Sequence, residues 1–276
     1  MKILITGSSG YIGSHLTKLL STKNNIKLYG LDIVQPQIDP HHFYLQDIRE
    51  QTFNLEEEFD CVVHLAAEVA VGRSVVNPTL YYLTNTLGTY NVLKNIKFKR
   101  FVHGSTGSAG PMNNPYGISK RGAEDIVNQY CLEHNIPFTI FRFFNVTGAG
   151  GFNPTNPDGL MWNLMNAQNT GQFNLFGDDY NTKDGSAVRD YTHVNEICAA
   201  LEQAIWMSSN RIENLGHGVG TTVKEMINLY KRVNNCEFNV NVCPRREGDL
   251  ERSVLDNPSP YMQKLYTMEQ LLYVSK

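Results

Sequence analysis

The sequence contains no uninterrupted apolar run of about 18 residues, so we expect no transmembrane helix and no membrane partner. Long runs of lysine or arginine are also absent, and the net charge is only −3, which argues against a surface that binds nucleic acid. The apolar stretch in the opening M-K-I-L-I-T-G-S-S-G is too short for a signal peptide. We therefore expect a cytoplasmic protein.

Cysteine is scarce, at five residues in 276. The number is odd, the spacings do not match those of metal sites, and several of these residues lie in apolar runs. This pattern predicts reduced and buried thiols, and no metal centre. The cysteines are Cys61, Cys131, Cys198, Cys236 and Cys243.

Short apolar runs alternate with amphipathic stretches through the first half of the chain. This alternation is typical of a parallel sheet covered by helices on both faces. The predicted strands are 2–6, 26–31, 43–46, 60–65, 100–105 and 137–142, and the predicted helices are 11–23, 78–97 and 115–134.

The predicted fold class is α/β, a Rossmann-type doubly wound parallel sheet with a smaller C-terminal α/β lobe. The composition changes after residue 147, at a stretch rich in glycine, asparagine and proline. We therefore predict a Rossmann domain at 1–147 and a second lobe at 148–276. Part of 187–215 is expected to pack back on the Rossmann domain.

A glycine-rich loop follows the first predicted strand in I-T-G-S-S-G-Y-I-G. Gly7, Gly10 and Gly13 allow a tight turn, close approach of backbone N–H groups to a pyrophosphate, and close packing of strand against helix. The helix that begins with Tyr11 and Ile12 would point its N-terminus at the phosphates. Such a loop can also be a simple turn, but the flanking strand and helix favour a dinucleotide site.

Asp32 ends the second predicted strand, 19 residues after Gly13. A carboxylate at this place accepts hydrogen bonds from the adenosine ribose and repels a 2′-phosphate, so it predicts NAD rather than NADP as the cofactor. A solvated aspartate at a strand end is the alternative interpretation. Asp47 and Ile48 follow the third predicted strand and are placed to flank the adenine.

Tyr116 and Lys120 lie four residues apart in N-P-Y-G-I-S-K, so a helix would place both on one face. A neighbouring ammonium favours the phenolate and is expected to pull the pKa of the tyrosine down from about 10. Such a base can take a proton from a sugar hydroxyl while hydride leaves the same carbon. Ser105 and Thr106 end the strand just upstream and bring a hydroxyl to the same place.

Tyr90 and Lys94 share this spacing. They lie in T-L-G-T-Y-N-V-L-K, which is typical of an ordinary helix with a packed tyrosine and a solvated lysine. The turn at Asn114-Pro115 and the hydroxyls upstream favour Tyr116 as the catalytic residue.

The early Gly-x-x-Gly-x-x-Gly and the later Tyr-x3-Lys together resemble the extended short-chain dehydrogenase/reductase (NAD-dependent epimerase/dehydratase) family. Three runs are similar to the UDP-glucose (UDP-galactose) 4-epimerases of that family: Y-Y-L-T-N-T-L-G-T at 81–89, F-G-D-D-Y-N-T-K-D-G-S-A-V-R-D-Y-T-H-V at 176–194 and C-P-R-R-E-G-D-L at 243–250. The resemblance covers nearly the whole chain. It implies that the Rossmann domain binds NAD and that the second lobe binds a nucleotide sugar.

The implied activity is interconversion of UDP-glucose and UDP-galactose through a 4-keto intermediate. In that scheme Thr106 hydrogen-bonds the sugar O4, with Ser105 as second choice, and Tyr116 shuttles the proton. Lys120 lowers the pKa of Tyr116 and holds the nicotinamide ribose. Further cofactor contacts are implied for Leu65, Ala66, Ala67, Asn85 and Phe144.

Substrate contacts are implied for Asn145, Gly159, Leu160, Asn174, Leu175, Phe176, Arg189, Arg246, Asp249 and Ser253. Arg189 and Arg246 would clamp the diphosphate together with Asn145, because guanidinium binds phosphate oxygens bidentately. An ion pair of Arg189 with Asp190 or another neighbour, and a solvated Arg246, are the alternatives.

The sugar pocket of these epimerases is narrowed by a tyrosine where this chain has Ser253. We therefore expect space for an N-acetyl group, and UDP-GlcNAc and UDP-GalNAc as further substrates. The alternative is a shifted alignment that leaves Ser253 in a surface loop.

Three departures from the family pattern stand out. Only nine residues separate Thr106 from Tyr116, so we expect an open rim at the site. Val69 replaces a lysine that often lies near the cofactor. The chain ends soon after E-Q-L-L-Y, which predicts a shortened final helix.

The stretch H-L-A-A-E-V-A-V-G-R-S is also similar to nucleotide-sugar 4,6-dehydratases, so a dehydratase or another enzyme of the extended family is the first alternative function. A non-catalytic NAD-binding regulatory module is the second. The resemblance further implies a homodimer formed through the helices at 78–97 and 115–134.

Overall fold

Residues 1–148 and 151–274 of the chain are described by a computed structural model. The strands are β1 (Lys2–Thr6), β2 (Lys27–Asp32), β3 (His42–Leu45), β4 (Glu58–Phe59), β5 (Cys61–His64), β6 (Lys97–Phe98), β7 (Phe101–Thr106), β8 (Phe138–Phe143), β9 (Asn145–Thr147), β10 (Gln172–Phe176), β11 (Val188–His193), β12 (Arg211–Leu215), β13 (Gly220–Thr222), β14 (Asn239–Cys243) and β15 (Arg252–Ser253). The α-helices are α1 (Tyr11–Ser21), α2 (Val71–Val76), α3 (Pro78–Tyr81), α4 (Gly88–Asn95), α5 (Pro115–Glu133), α6 (Leu160–Thr170), α7 (Val194–Ile205), α8 (Val223–Asn234) and α9 (Met268–Leu272).

A seven-stranded parallel sheet in the order β3-β2-β1-β5-β7-β8-β12 forms the centre of the molecule. The strand order reverses between β1 and β5. Ligands of such sheets bind at the carboxyl ends of the strands on either side of this reversal. The predicted fold class is confirmed, and the six predicted strands closely match β1, β2, β3, β5, β7 and β8.

Alternation along β1 explains the layers above and below the sheet. Ile3 and Ile5 pack with α1 and α7 on one face, whereas Leu4 packs with α4 and α5 on the other. Successive strand residues point to opposite faces, so one apolar run supplies two cores.

The helix predicted at 78–97 is interrupted. Between α3 and α4 the chain forms a π-helical turn over Tyr82–Leu87. Such turns carry an extra residue and are common at functional sites. Here the turn contains Asn85, which is buried and bonds to a neighbouring loop.

The second half of the chain builds a separate apolar cluster and also returns to the main sheet. Helices α6, α8 and α9 pack with β10 around that cluster, and β14 pairs with β10. Helix α7 packs against α1, and β12 pairs with β8 in the main sheet. The division at 147 stays a prediction. Among the described residues, no helix is long and apolar enough to span a bilayer.

A buried carboxylate on β11 connects three segments of the second half. Asp190 accepts hydrogen bonds from the backbone N–H groups of His217 at 3.1 Å, Gly218 at 2.8 Å and Leu255 at 3.4 Å. A Cβ at Gly216 would lie 2.6 Å from Asp190 Oδ2, so the strand end packs directly on the carboxylate. Asp190 therefore fixes the connection between the main sheet and the segment after β15.

We predict that Asp190→Ala lowers the free energy of unfolding by about 3 kcal/mol, because three partly buried backbone N–H groups lose their acceptor. Thermal and urea unfolding of the purified protein measure this. Asp178→Ala, at an exposed aspartate, is the control and should unfold like the parent. Equal stability of the two variants would contradict the role given to Asp190.

Candidate active site

The carboxyl end of β7 and the start of α5 bring Thr106 beside Tyr116. Helix α5 begins here because Asn114 accepts a hydrogen bond from Gly117 N at 2.8 Å and Pro115 occupies the first helical position. Thr106 caps the short 3₁₀ turn that follows β7, accepting from Ser108 N at 3.3 Å. The two side chains predicted to act together are therefore neighbours in the structure.

Lys120 lies one helical turn after Tyr116 and is buried. Its Nζ donates to the carbonyl of Gly104 at 2.6 Å and lies 3.3 Å from Nε2 of His103. Burial lowers the pKa of Lys120 to about 7, while the nearby charge of Glu124 opposes that shift. Burial thus favours the neutral amine of Lys120, and Glu124 favours the ammonium.

The prediction that the pKa of Tyr116 lies below its ordinary value is wrong. Burial raises the pKa of the Tyr116 phenol, and the side chain of Thr106 partly opposes the rise. Burial of the phenol is the dominant cause, and the Nζ of Lys120 donates to the carbonyl of Gly104 on β7. Sequence spacing predicts the shared helix face but not this burial.

Tyr81 is a buried neighbour of Tyr116 that the sequence argument does not identify. Its ring packs edge-on against Tyr116 with centroids 6.1 Å apart. Its hydroxyl donates to the carbonyl of Val69 and, at 2.9 Å, to that of Ala70. Ala70 has φ 90°, a strained conformation for a residue with a side chain. Tyr81 therefore holds a strained loop beside the base.

Asn85 fastens the same loop to α5. Its Oδ1 accepts from Glu68 N at 2.8 Å, and its Nδ2 donates to Glu68 O and Ser119 Oγ, both at 3.0 Å. The predicted cofactor contact of Asn85 stays a prediction. The bonds of its amide show a structural function that the sequence run at 81–89 does not reveal.

The glycine loop between β1 and α1 forms a tight cradle. Gly7 has φ 71°, and a Cβ there would lie 2.6 Å from Ala66 N. A Cβ at Gly13 would lie 2.0 Å from the carbonyl of Gly7. Gly10 is the N-cap of α1 and offers no capping side chain, so the first N–H groups of the helix lack a side-chain partner.

These features fit a dinucleotide pyrophosphate. The free N–H groups of the α1 N-terminus favour an anion. Ser8 Oγ is buried in the same loop without a hydrogen-bond partner. Leu65, Ala66 and Ala67 follow β5 on the opposite side of the reversal in strand order. The predicted cofactor residues of the loop and of β5 therefore lie together.

Asp32 ends β2 and bonds to the glycine loop. Its Oδ2 accepts from Ser9 N at 2.9 Å, and its Oδ1 accepts from Ile33 N and Val34 N at 2.7 and 3.1 Å. The side chain is only partly buried, so lone pairs of Oδ2 stay available to a ribose hydroxyl. Asp32 is thus more than a solvated strand end.

The other predicted cofactor side chains are engaged in different ways. Asp47 pairs with Arg49, with Nε 2.9 Å from Oδ2, and Ile48 is buried against Gly88. The hydroxyl of Tyr11 donates to the carbonyl of Gly148, so its ring packs inside the protein.

Two more of these side chains pack against the protein. Ile12 packs against the core around α1 and α7. Phe144 lies against Gly107, where a Cβ would be 3.1 Å from its ring.

Arg189 lies on β11 with its side chain 14 % exposed. Its Nη2 is 3.8 Å from Oδ1 of Asp249. The alternative of an ion pair is confirmed with Asp249 as the neighbour and not with Asp190, whose carboxylate is occupied by backbone N–H groups. Ser253 lies on β15, directly opposite Arg189 in the parallel pairing with β11. The alternative that places Ser253 in a surface loop is wrong.

Arg246 is not a solvated arginine. Its guanidinium lies over the ring of Phe176 at 3.9 Å, and its Nη1 donates to the carbonyl of Asp158 at 3.3 Å. A Cβ at Gly248 would lie 3.7 Å from Cβ of Asn114, so the loop of Arg246 approaches the start of α5.

Three further predicted substrate residues lie on β9 and at the start of α6. Asn145 lies on β9, which pairs with β11. The backbone N–H and carbonyl of Gly159 bond to Asn156 and Asn163, whereas Leu160 opens α6, whose N-terminus has no side-chain cap.

On β10, Leu175 is buried and Asn174 is exposed, as strand alternation requires. Leu175 therefore faces the core, which leaves Asn174 and Phe176 for the predicted uracil contacts.

Comparison with known proteins decides the family. A model of the NAD dependent epimerase/dehydratase family matches residues 3–216. The chain belongs to that family. NAD, predicted from the glycine loop and Asp32, is the cofactor that the family description names.

Individual relatives in the epimerase/dehydratase family cover nearly the whole chain. UDP-glucose 4-epimerase of Haemophilus influenzae is 33% identical over 296 residues, covering 91% of this chain and 88% of that protein. The structure of UDP-glucose 4-epimerase from Thermotoga maritima with UDP-glucose is 26% identical, with a TM-score of 0.86 and coverage of 99% and 96%. The UDP-Glc/GlcNAc 4-epimerase of Campylobacter jejuni is 28% identical, with a TM-score of 0.79 and coverage of 98% and 96%.

We predict that the protein binds NAD more tightly than NADP and that Asp32→Ala narrows this difference, because the carboxylate repels a 2′-phosphate. Calorimetric titration of both dinucleotides into both proteins measures the ratio of affinities. Asp39→Ala, at an exposed aspartate between β2 and β3, is the control. Tighter binding of NADP by the parent protein would contradict the assignment of Asp32.

Proposed function

We propose that this protein is an NAD-dependent nucleotide-sugar 4-epimerase that interconverts UDP-glucose and UDP-galactose. The observation that carries the proposal is the pairing of Thr106 with Tyr116 at the end of β7, next to a loop with Arg246. The family membership and the names of the most similar relatives support the same activity.

Tyr116 acts on the hydroxyl at C4 of the sugar. Thr106 hydrogen-bonds O4, and the Tyr116 phenolate takes the O4 proton and, as the phenol, later returns it. When bound, NAD supplies the acceptor for the C4 hydride. Because burial raises the pKa of Tyr116, the phenolate forms only with positive charge nearby, and Lys120 is the cation that this chain supplies.

Arg189 and Arg246 hold the diphosphate while the sugar turns. Both guanidinium groups are half-buried and already oriented, Arg189 by Asp249 and Arg246 by Phe176. A fixed diphosphate keeps C4 within reach of Tyr116 whichever face of the sugar is presented. This orientation is an entropic contribution to catalysis.

We predict that Tyr116→Phe lowers turnover of UDP-glucose by at least about 10²-fold and leaves NAD binding largely unchanged, because the ring remains and only the proton acceptor is lost. Coupled assays of kcat and direct NAD titration measure this. Tyr90→Phe removes the hydroxyl of the second Tyr-x3-Lys pair and is the control. If Tyr90→Phe is inactive and Tyr116→Phe is not, the site is misplaced.

The two alternative functions predict different results in one product analysis. A 4,6-dehydratase of this family has an Asp-Glu pair after its catalytic threonine, whereas Thr106 is followed by Gly107 and Ser108. NMR of the products from UDP- and dTDP-hexoses would show a 4-keto-6-deoxy sugar if the dehydratase were correct. A non-catalytic module would give no product, and it has no need of Thr106, Tyr116 and Lys120.

The proposed substrates include UDP-N-acetylhexosamines. Ser253 is half-buried beside Arg189, so a small side chain lies next to one of the proposed diphosphate ligands. A serine in place of a tyrosine removes the steric clash that would exclude a larger substituent at C2 of the sugar. A relative named for both UDP-Glc and UDP-GlcNAc supports this breadth.

We predict that the parent turns over the N-acetylated pair at least comparably to UDP-glucose and UDP-galactose, and that Ser253→Tyr selectively lowers kcat/KM for the N-acetylated pair. Ser253→Ala is the control, because alanine is also a small side chain and leaves the size of the pocket unchanged. An unchanged ratio in Ser253→Tyr would show that Ser253 does not gate the pocket.

A homodimer in the cytoplasm is the assembly that we propose. The segment from α3 to α4 exposes Tyr82, Leu83, Leu87 and Tyr90, and Ile118 is exposed on the neighbouring helix α5. Apolar side chains clustered on two adjacent helices favour a protein partner. All five cysteines are unpaired, which suits a reducing compartment.

We predict that Leu87→Glu converts the dimer to a monomer, because a charge would be buried in the interface. Sedimentation velocity of the purified protein measures the assembly. Val219→Glu, at an exposed apolar residue of the second half, is the control. A parent protein that sediments as a monomer would contradict the proposed interface.

A further inference from the structure

Two buried histidines face each other on neighbouring strands, one of them beside Lys120, and the mechanism above uses neither. His64 on β5 and His103 on β7 are opposite each other in the parallel register. Their rings are stacked with centroids 5.3 Å apart, and the residues are 1% and 0% exposed. Buried imidazoles need hydrogen-bond partners, so their bonds indicate their function.

The bonds of His64 are complete within the core. Its Nδ1 lies 2.6 Å from Thr6 Oγ1 and its Nε2 lies 2.9 Å from Thr89 Oγ1. Thr89 donates its own proton to the carbonyl of Asn85 at 2.6 Å, so it must accept from His64 Nε2. His64 is therefore a neutral imidazole with a structural function, and burial lowers its pKa to about 3.

His103 has a different environment. Its Nε2 lies 3.3 Å from Lys120 Nζ, and its Nδ1 is buried without a partner. When Lys120 is protonated, as the proposed reaction requires, its Nζ can only donate, so Nε2 accepts and the imidazole proton lies on Nδ1. Burial and the charge of Lys120 hold the pKa of His103 well below its usual value, which keeps the ring neutral.

We propose that His103 is a positioning residue of the 4-epimerase: as a neutral acceptor it fixes the ammonium of Lys120 and keeps it protonated where Tyr116 works. This inference rests on the proposed function. The other acceptor of Lys120 among the described residues is the backbone carbonyl of Gly104, which no side-chain substitution removes.

The remaining titratable groups around Lys120 do not replace His103. Glu124, one turn further along α5, favours protonated Lys120 through its charge, but it accepts its hydrogen bonds from Ser105 Oγ at 2.5 Å and Arg142 Nε of β8 at 2.8 Å, not from Lys120. Tyr116 lies one helical turn before Lys120. Both ring nitrogens of His64 are hydrogen-bonded to threonines, so neither can accept from Lys120.

Loss of the His103 acceptor should lower the pKa of Lys120. A buried ammonium with one hydrogen-bond acceptor fewer is less stable, so the pKa of Lys120 falls. The proposed reaction needs protonated Lys120 and is lost as the pH rises through that pKa. Substitution of His103 by a non-acceptor therefore moves the alkaline limb of the kcat profile to lower pH.

The kinetic test compares His103→Phe with His103→Gln, whose Oε1 can take the place of Nε2. We expect His103→Phe to lower kcat about 10-fold, to change KM less, and to move the alkaline limb about one pH unit down. His103→Gln should restore the limb. His64→Gln, one strand away, is the control and should not move it. Superimposable profiles for the parent and His103→Phe would overturn the proposal, as would an equal loss in both His103 variants.

A measurement on the parent needs no turnover and no stable variant. In ¹⁵N-histidine-labelled protein, two-bond ¹H–¹⁵N spectra distinguish the tautomers. We expect one buried neutral histidine with its proton on Nδ1, whose Nε2 resonance shifts as Lys120 deprotonates. A proton on Nε2 of His103, or an imidazolium at neutral pH, would overturn the proposal. A parent that shows this tautomer but epimerises nothing would instead contradict the proposed function.

Discussion

The burial of the Lys120 ammonium between β7 and α5 is the constraint on which the candidate site depends. Burial lowers the pKa of Lys120 to about 7, so the protein bears the cost of a partly charged group in its interior. The carbonyl of Gly104 is available to Lys120 because β7 packs closely there. A Cβ at Gly104 would lie 2.8 Å from Leu65 and 2.9 Å from Phe143. Burying Lys120 lowers the free energy of unfolding, and it places a cation close to Tyr116.

The other parts of the candidate site lie at the carboxyl edge of the main sheet. The glycine cradle follows β1, the cofactor-side loop follows β5, and Thr106 ends β7. The loop at 68–70 is held by Asn85 from a π-helical turn and by the hydroxyl of Tyr81. The loop that contains Arg246 approaches the start of α5, where a Cβ at Gly248 would contact Asn114. Local strain and buried polar bonds are thus concentrated where ligands are proposed to bind.

The sequence predicts the parts of the molecule that depend on local patterns. Short apolar runs and the turn at Asn114-Pro115 suffice for the sheet and for the start of α5, and glycine spacing suffices for the cradle. The pKa of Tyr116 was not predictable, because it depends on the burial of the phenol. The stacking of Arg246 on Phe176 was likewise not predictable from local patterns, since the two residues are distant in sequence.

One isotope experiment tests the central claim, that C4 of a UDP-hexose is inverted without exchange of its hydrogen with water. The purified protein is incubated with NAD and UDP-glucose that carries deuterium at C4, and the products are analysed by NMR. The account predicts UDP-galactose with the deuterium retained at C4. UDP-galactose with solvent hydrogen at C4, or a 4-keto-6-deoxy product, would contradict it.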